Sequence, residues 1–379
     1  MGACKKLLII GDNLQGGGAL LASTIIDEAC RDPQVTELRG WVSTSVKVPV
    51  NSKFKPYSSG GWQRFIPKWI RRALLARSLG ESWIILNLTN FPISKLGIHK
   101  GVTEICLFHN AYFMASPTGV HSPITFYFTL RQLFMRRALL RWLMLFYDAR
   151  LTKLVVQTHF MATLSKKFFG DLSVRVASLH IPPMVDNSEL TQKLVAIEPH
   201  MNRAWFYPAS AEPHKNHMLL IDVCEQSVKN GGDPLIFITI TAKTKEEESI
   251  LKSIDRRGLA KNIINIGWIK EAERQWLYTK CRGILFFSTF ESLGISLLEA
   301  RFFRCPILCV ESALAREMLG QSFPLYDVTS LDERHRLAND LTKDVGSIPK
   351  APPLVGAKRI IDAYCFEHLD SLSPNIELI

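Results

Sequence analysis

The sequence predicts an α/β protein built from two doubly wound, Rossmann-like domains facing each other across a cleft. Three observations predict it. The chain has 379 residues, more than one hydrophobic core comfortably supports. Apolar runs of strand length alternate with helically periodic segments along most of it, the pattern of parallel sheets with crossover helices. That alternation breaks at "IPPMVDN" (181–187), where two consecutive prolines mark a domain edge, and then starts afresh. The expected domains are 1–185 and 186–351, with a tail over 352–379 that begins as a helix in "LVGAKRIIDAYCFEHLD".

In the first half "KKLLII" is a strand, "GDNLQGGGA" (11–19) a glycine-rich turn and "ALLASTIIDEACRD" a helix. "LRGWVSTSV", "SWIILNLTN", "EICLFHNAY" and "KLVVQTHF" follow as strands that end in polar loop residues. In the second half "RAWFYPAS", "LIFITIT", "IINIGWI", "GILFFST" and "PILCV" are strands. The segments "HKNHMLLIDVCEQSVKNGG", "KEEESILKSIDRRG", "EAERQWLYTKC", "ISLLEARFF" and "ALAREMLG" supply helices between or after them. No short-period repeat is present.

Composition places the chain among ordinary globular proteins, with 47% hydrophobic and 21% charged residues. No window holds about 18 uninterrupted apolar residues, so no spanning helix is expected. Asp12 and the glycines cut short the N-terminal apolar run, and Lys6 stands where a myristoylation signal wants Ser or Thr. The eight cysteines form no CxxC pair, and Cys305 and Cys309 flank an apolar run as buried strand residues. A reduced, cytoplasmic protein is expected.

Charge is uneven. Residues 1–190 hold 23 Lys and Arg against 11 Asp and Glu, and residues 191–379 hold 23 against 24. The excess gathers in "RFIPKWIRRALLARSLG" (64–80) and "LRQLFMRRALLRWLMLF" (130–146), where Arg alternates with Trp, Phe, Leu and Met at helical spacing. Such a face is either a solvated surface whose arginine stems cover apolar groups, or a dock on an anionic membrane, for which Trp62, Trp69 and Trp142 are suited. No zinc-finger, RNP or helix-turn-helix pattern points to nucleic acid.

Ligands of doubly wound sheets gather at the carboxyl ends of strands, so the polar residues there are the candidate site. Gly16 and Gly17 let a ligand approach the first turn closely, or simply make a tight turn. His109, directly after the strand "EICLF", is either chemical or structural. Lys215, in "YPASAEPHKNH" (207–217), is a cation at a helix start that can hold a diphosphate, or a surface lysine beside a capping Asn216. In "FESLGISLLEARFF", Glu291 stands in a loop, the amides of Leu293 and Gly294 lie near a helix start, and Glu299 follows among leucines. A carboxylate there needs a donor, and a ligand hydroxyl pair is one. Two carboxylates placed favourably near a helix N-terminus are the plainer alternative.

"FESLGISLLEARFFRCPILCVES" resembles the glutamate–seven–glutamate motif of retaining GT-B glycosyltransferases of family 4, also called glycosyl transferases group 1. "FYPASAEPHKNH" is similar to the phosphate segment of a bacterial subset of that family associated with O-antigen and other surface polysaccharides. "LFHNAYF" and "VVQTHFM" fall in the expected order, so the resemblance spans nearly the whole chain. It implies a GT-B fold, a nucleotide-diphosphate sugar held mainly by the second domain, and a saccharide acceptor on the first, whose basic, tryptophan-bearing character fits a lipid-linked acceptor. Glu299 would take ribose hydroxyls, Glu291 the donor sugar and Lys215 the diphosphate. Gly16 and Gly17 would lie near diphosphate and acceptor, His109 near the transferred sugar, and the tail would cross back to the first domain.

Three positions depart from the family. Ser210 replaces an arginine that would share the diphosphate, leaving Arg282 or Arg316 as candidates for a second cation. Ser292 replaces a glycine after the first glutamate, and Arg304 a glycine before the "P" strand. No Asp-x-Asp occurs, so the resemblance implies a metal-independent hexosyltransferase without cofactor, acting by front-face attack at the inner face of the cell membrane. The alternatives are a non-catalytic membrane-associated binding module of this fold, and a sugar-nucleotide epimerase. The reading requires Glu291 and Glu299 to be open to ligand and not consumed by internal salt links.

Overall fold

A computed structural model describes residues 5–57 except 13, 15 and 51, then 67–93, 101–108, 150–169, 174–176 and 192–352. It also describes the isolated residues 95, 98, 134, 137, 138, 141, 145, 147 and 148. His109, Trp62, Trp142, the "IPPMVDN" break and the expected tail helix lie outside the described residues. The chain divides into two compact units, one containing the described residues up to Val176 and the other those from Gln192 to Pro352.

The first unit carries a seven-stranded sheet in the order β3-β2-β1-β4-β5-β6-β7, with every pairing parallel. Its strands are β1 (Lys5–Gly11), β2 (Val35–Val42), β3 (Phe54–Pro56), β4 (Trp83–Asn87), β5 (Thr103–Phe108), β6 (Thr152–Val156) and β7 (Val174–Val176). Helices α1 (Gly16–Arg31), α2 (Lys68–Arg77) and α3 (His159–Phe169) connect or flank them. The period of two in "LLII" explains why both faces are covered. Leu7 and Ile9 pack with Ile25 and Ile26 of α1, while Leu8 and Ile10 pack with Leu75 and Ala76 of α2.

The second unit repeats the plan with five parallel strands in the order β10-β9-β8-β11-β12. These are β8 (Ala204–Tyr207), β9 (Leu235–Ile238), β10 (Ile263–Asn265), β11 (Gly283–Phe286) and β12 (Ile307–Cys309). Its helices are α4 (Gln192–Ile197), α5 (His217–Lys229), α6 (Lys245–Arg256), α7 (Glu271–Lys280), α8 (Ile295–Phe303), α9 (Ala313–Leu319) and α10 (Leu331–Asp340). Trp205 and Tyr207 of β8 join the core under α5 and α6, and Phe206 points the other way, edge-on to Tyr278 of α7 at 5.6 Å. Cys305 and Cys309 are buried beside or in β12, as expected.

Three elements escape the apolar pattern. β3 and β7 are three-residue edge strands, "FKP" and "VRV", too short to show alternation. α10, "LDERHRLAND", is mostly charged and buries only Leu337, Ala338 and Asp340. Its signal was a cap: Ser330 accepts from the Glu333 amide, the Ser-x-x-Glu signature.

Candidate functional site

In the second unit the chain runs from β8 outward through β9 to β10, then returns to lay β11 and β12 on the other side of β8. The crossovers after β8 and β11 therefore leave in opposite directions, and a crevice opens between their loops at the carboxyl edge. This topological switch point is where open α/β sheets bind ligands. The loops are tied together. The Thr289 amide donates to the His214 carbonyl at 3.1 Å, and the Ser296 hydroxyl reaches the Pro208 carbonyl at 3.4 Å.

Lys215 and Glu291 come from these two loops and meet there, with Nζ 2.6 Å from Oε1 and both side chains largely shielded. Lys215 is thus not a surface lysine, and Asn216 makes no side-chain capping bond although it occupies the N-cap of α5. The Tyr207 hydroxyl donates to the Lys215 carbonyl. Burial, and then the Glu291 charge, hold the Tyr207 phenol well above its ordinary pKa. His214 and His217 flank the lysine. Burial, with Lys215 second, pushes His214 down to about 3 and His217 down to about 4.

Ser292 and Leu293 are half-buried on the loop into α8, and Gly294 is buried at its start. Gly294 has φ 61, and a Cβ there would stand 3.0 Å from Leu314 Cδ2, so glycine is favoured. The first-turn amides of α8 are the kind a helix leaves for an anion or a sugar oxygen. Ser210 is exposed, and its hydroxyl donates to Glu212, placing another negative charge beside the lysine loop.

Glu299, on α8, is 2% exposed. Its donor is Arg274 of α7, whose Nε and Nη2 both reach Oε1, at 3.0 and 2.7 Å. Oε2 is buried without a hydrogen-bond partner among the described residues. Leaving such an acceptor unmet costs about 1–3 kcal/mol. Burial raises the Glu299 pKa, while Arg274 pulls it down.

Both glutamates therefore hold internal ion pairs, and the requirement that they be free of salt links is not met as stated. The physical reason differs between them. At Glu291 two opposite charges meet where the switch-point loops converge. At Glu299 a carboxylate among leucines takes the nearest guanidinium, yet with only one of its oxygens. Neither proposed second cation is ready for a diphosphate. Arg282 precedes β11 at the amino edge and stacks over Trp205 at 5.3 Å. Arg316 pairs with Glu311 and holds the carbonyls of Gln321 and Phe323.

The first unit has its own switch point between β1 and β4. Gly16 and Gly17 form the first turn of α1 there, not a separate loop. Beside them Asp12 is ion-paired to Arg72 of α2 at 2.7 Å, with Lys68 at 3.5 Å. The network continues inward. Arg72 donates to Thr89 Oγ1, Thr89 to Asn87 Oδ1, and Asn87 Nδ2 to Glu104 Oε1. Glu104 is fully buried and also accepts from the Ile93 amide and the Thr152 hydroxyl. The sequence reading missed Asp12, Arg72, Glu104 and Arg274, because each is an isolated charge whose partner is distant in the chain.

The second unit is a Rossmann-like sheet with ligand-type groups converging on its switch point. Residues 194–344 match the family model described as Glycosyl transferases group 1. No curated protein matches the chain. Among solved structures, Anabaena HepE (Alr3699) in complex with UDP-glucose has a TM-score of 0.55 at 12% identity, over 91% of this chain and 96% of that chain. The lipopolysaccharide outer core galactosyltransferase WaaB, in its apo form, has a TM-score of 0.53 at 14% identity, over 97% and 96%. A point mutant of S. aureus TarM in complex with UDP has a TM-score of 0.47 at 15% identity, over 79% of this chain and 56% of that chain. This chain therefore spans little more than half the length of TarM. At such identities the likeness to HepE and WaaB is one of fold, the Rossmann-like α/β fold of GT-B glycosyltransferases.

Proposed function

We propose that the protein is a retaining, metal-independent glycosyltransferase that moves a sugar from a nucleotide-diphosphate sugar to a saccharide acceptor in surface-polysaccharide synthesis. The observation that carries this reading is the meeting of Lys215 and Glu291 at the β8/β11 switch point, inside the segment that matches the family model. The donor diphosphate would draw Lys215 away from Glu291 and take the first-turn amides of α8. Glu291 would then be freed to accept from donor-sugar hydroxyls. Fixed cations and amides aimed at a departing diphosphate supply transition-state stabilisation without reorganisation. Front-face attack, with the leaving phosphate oxygen taking the acceptor's proton, would retain the anomeric configuration. His109 would lie near the transferred sugar, and Gly16 and Gly17 near the acceptor.

The acceptor is proposed to be lipid-linked and the protein peripheral at an anionic membrane face. Phe134, Arg141 and Leu145, at helical spacing, are exposed, with Phe134 at 75% and Leu145 at 66%. Along α2 the basic face is thinner than the sequence suggests, since Arg72 is buried on Asp12 and Arg71 stacks over Trp41 at 5.0 Å. Lys68, Leu74 and Arg77 remain exposed on that helix. Among the described residues no helix is long and apolar enough to cross a membrane.

The test is a panel of nucleotide sugars offered with membrane extract as acceptor source, in the presence of EDTA, with anomeric analysis of the product. Transfer with retention is expected, and an inverted product rejects the mechanism. Co-sedimentation should prefer anionic over neutral liposomes. The occupied state of both glutamates favours one other reading, a binding module that does no transfer. Tight donor binding without transfer or hydrolysis across the panel would select it.

A further inference from the structure

Arg274 meets Glu299 through a single oxygen, as Arg72 meets Asp12 in the first unit. A guanidinium facing a carboxylate commonly spreads two parallel N–H bonds over both oxygens. Here Nε and Nη2 converge on Oε1, and Oε2, equally buried, has no hydrogen-bond partner among the described residues. The Tyr278 hydroxyl lies beside the same carboxylate and, with Arg274, favours its ionised form, while its hydrogen bond is a long 3.4 Å reach to the Ser296 carbonyl. An ionised carboxylate is an acceptor only, so the group that completes Oε2 must donate.

We propose that Arg274 is a positioning residue that anchors Oε1 of Glu299 and thereby presents Oε2 as the acceptor for a hydroxyl of the nucleoside's ribose. The inference rests on the proposed function and assigns a task to a residue that the glutamate motif does not include. Arg274 does two things at once. Its fork fixes the carboxylate's rotation, since two donors on one oxygen leave the other pointing elsewhere. Its charge also opposes the burial that favours the protonated acid. Without Arg274, burial would raise the Glu299 pKa further, and the carboxylate would lose the donor that sets its orientation.

The experiment is calorimetric titration of the full chain with UDP, GDP and ADP. The nucleotide that binds is then compared with its 2′-deoxy analogue at pH 8 and pH 6. The wild type should favour the ribonucleotide by about 10–100-fold, the range for a hydrogen bond to a charged group. Glu299→Gln should reduce that preference to about twofold. Arg274→Met should weaken it, and more at pH 6 than at pH 8, and Arg274→Lys should restore part of it. Inorganic pyrophosphate should bind wild type and variants alike, marking an intact diphosphate region. If no nucleoside diphosphate binds the wild type, the functional reading fails and this inference with it. If the wild type binds without preferring ribose, or if Arg274→Met keeps the full preference at both pH values, the inference alone is overturned. Should Arg274→Met not fold, Arg274→Gln and Arg274→Lys carry the same comparison.

Discussion

The two switch points use charge differently. In the first unit the Asp12–Arg72 pair opens a chain of bonds through Thr89 and Asn87 to Glu104, and each Glu104 oxygen finds a donor. In the second unit the ion pairs stand at the site itself. Lys215 and Glu291 neutralise each other across two loops, and Arg274 leaves half of Glu299 unmet. Both units leave a buried carboxylate oxygen without a hydrogen bond among the described residues, Asp12 Oδ2 and Glu299 Oε2. In the first, however, the pair runs on into a chain of side-chain bonds that stiffens the fold, whereas Lys215 and Glu291 bridge two loops at the strand ends.

Substitution at the two pairs should break this contrast if it is wrong. Lys215→Ala and Glu291→Ala are expected to lower turnover by about 10²–10³-fold, the loss typical of removing one preorganised electrostatic group. Thermal melts of the same variants should move little. Arg72→Met should do the reverse, since it strands the buried Asp12 and costs about 3–5 kcal/mol of stability. Its turnover per folded molecule should stay near wild type. Equal losses of activity and melting temperature at Lys215 would make that pair structural like the first.

Glu104 gives a second measure. It is fully buried and accepts from Asn87, Ile93 and Thr152. Glu104→Ala leaves several donors unmet, each worth about 1–3 kcal/mol, so chemical denaturation should show a loss of several kcal/mol. Glu104→Gln should lose less.

The sequence made some of this legible and not the rest, for physical reasons. Strands buried on both faces announce themselves as apolar runs, and so nearly all the central strands could be placed. Lys215 and Glu291 stand out because a parallel sheet directs ligands to its carboxyl edge, and Glu299 because a carboxylate among the leucines of the next helix needs a donor. Long-range pairing leaves no local trace. Arg274 reads as one more charge on an amphipathic helix, and Arg72 as one more basic residue on a surface helix, until the fold brings a carboxylate to each. Arg282 shows the converse error, since its place before β11 already put it at the wrong edge.

Acid should separate the units further. His217 titrates at about 4 and His214 at about 3 in the folded protein, against about 6.5 unfolded. Because the folded values are depressed, the unfolded chain binds protons first as pH falls below about 6.5. Stability is therefore full above pH 7 and is lost on the way down to pH 4, by about 2–3 kcal/mol for His217. Calorimetry at pH 7 and 4.5 should show this loss, and His217→Gln should remove its share and leave that of His214.

The smallest effect tests whether α8 is placed by its own ends. Arg304 closes that helix with φ 51 and ψ 43, and the Cys305 amide reaches back to the Ala300 carbonyl at 2.9 Å. This left-handed C-terminal position is one that glycine fills without strain, which accounts for glycine as the commoner residue there. The Arg304 side chain is exposed, so Arg304→Gly removes strain and little packing. A gain of about 0.5–1 kcal/mol is expected, or about 2 °C in melting temperature. Since Glu299 rides on the same helix, an unchanged affinity for nucleoside diphosphate would show that the carboxylate is located by Arg274 and not by the helix end. Weaker binding with a higher melting temperature would instead make the Arg304 charge part of the site.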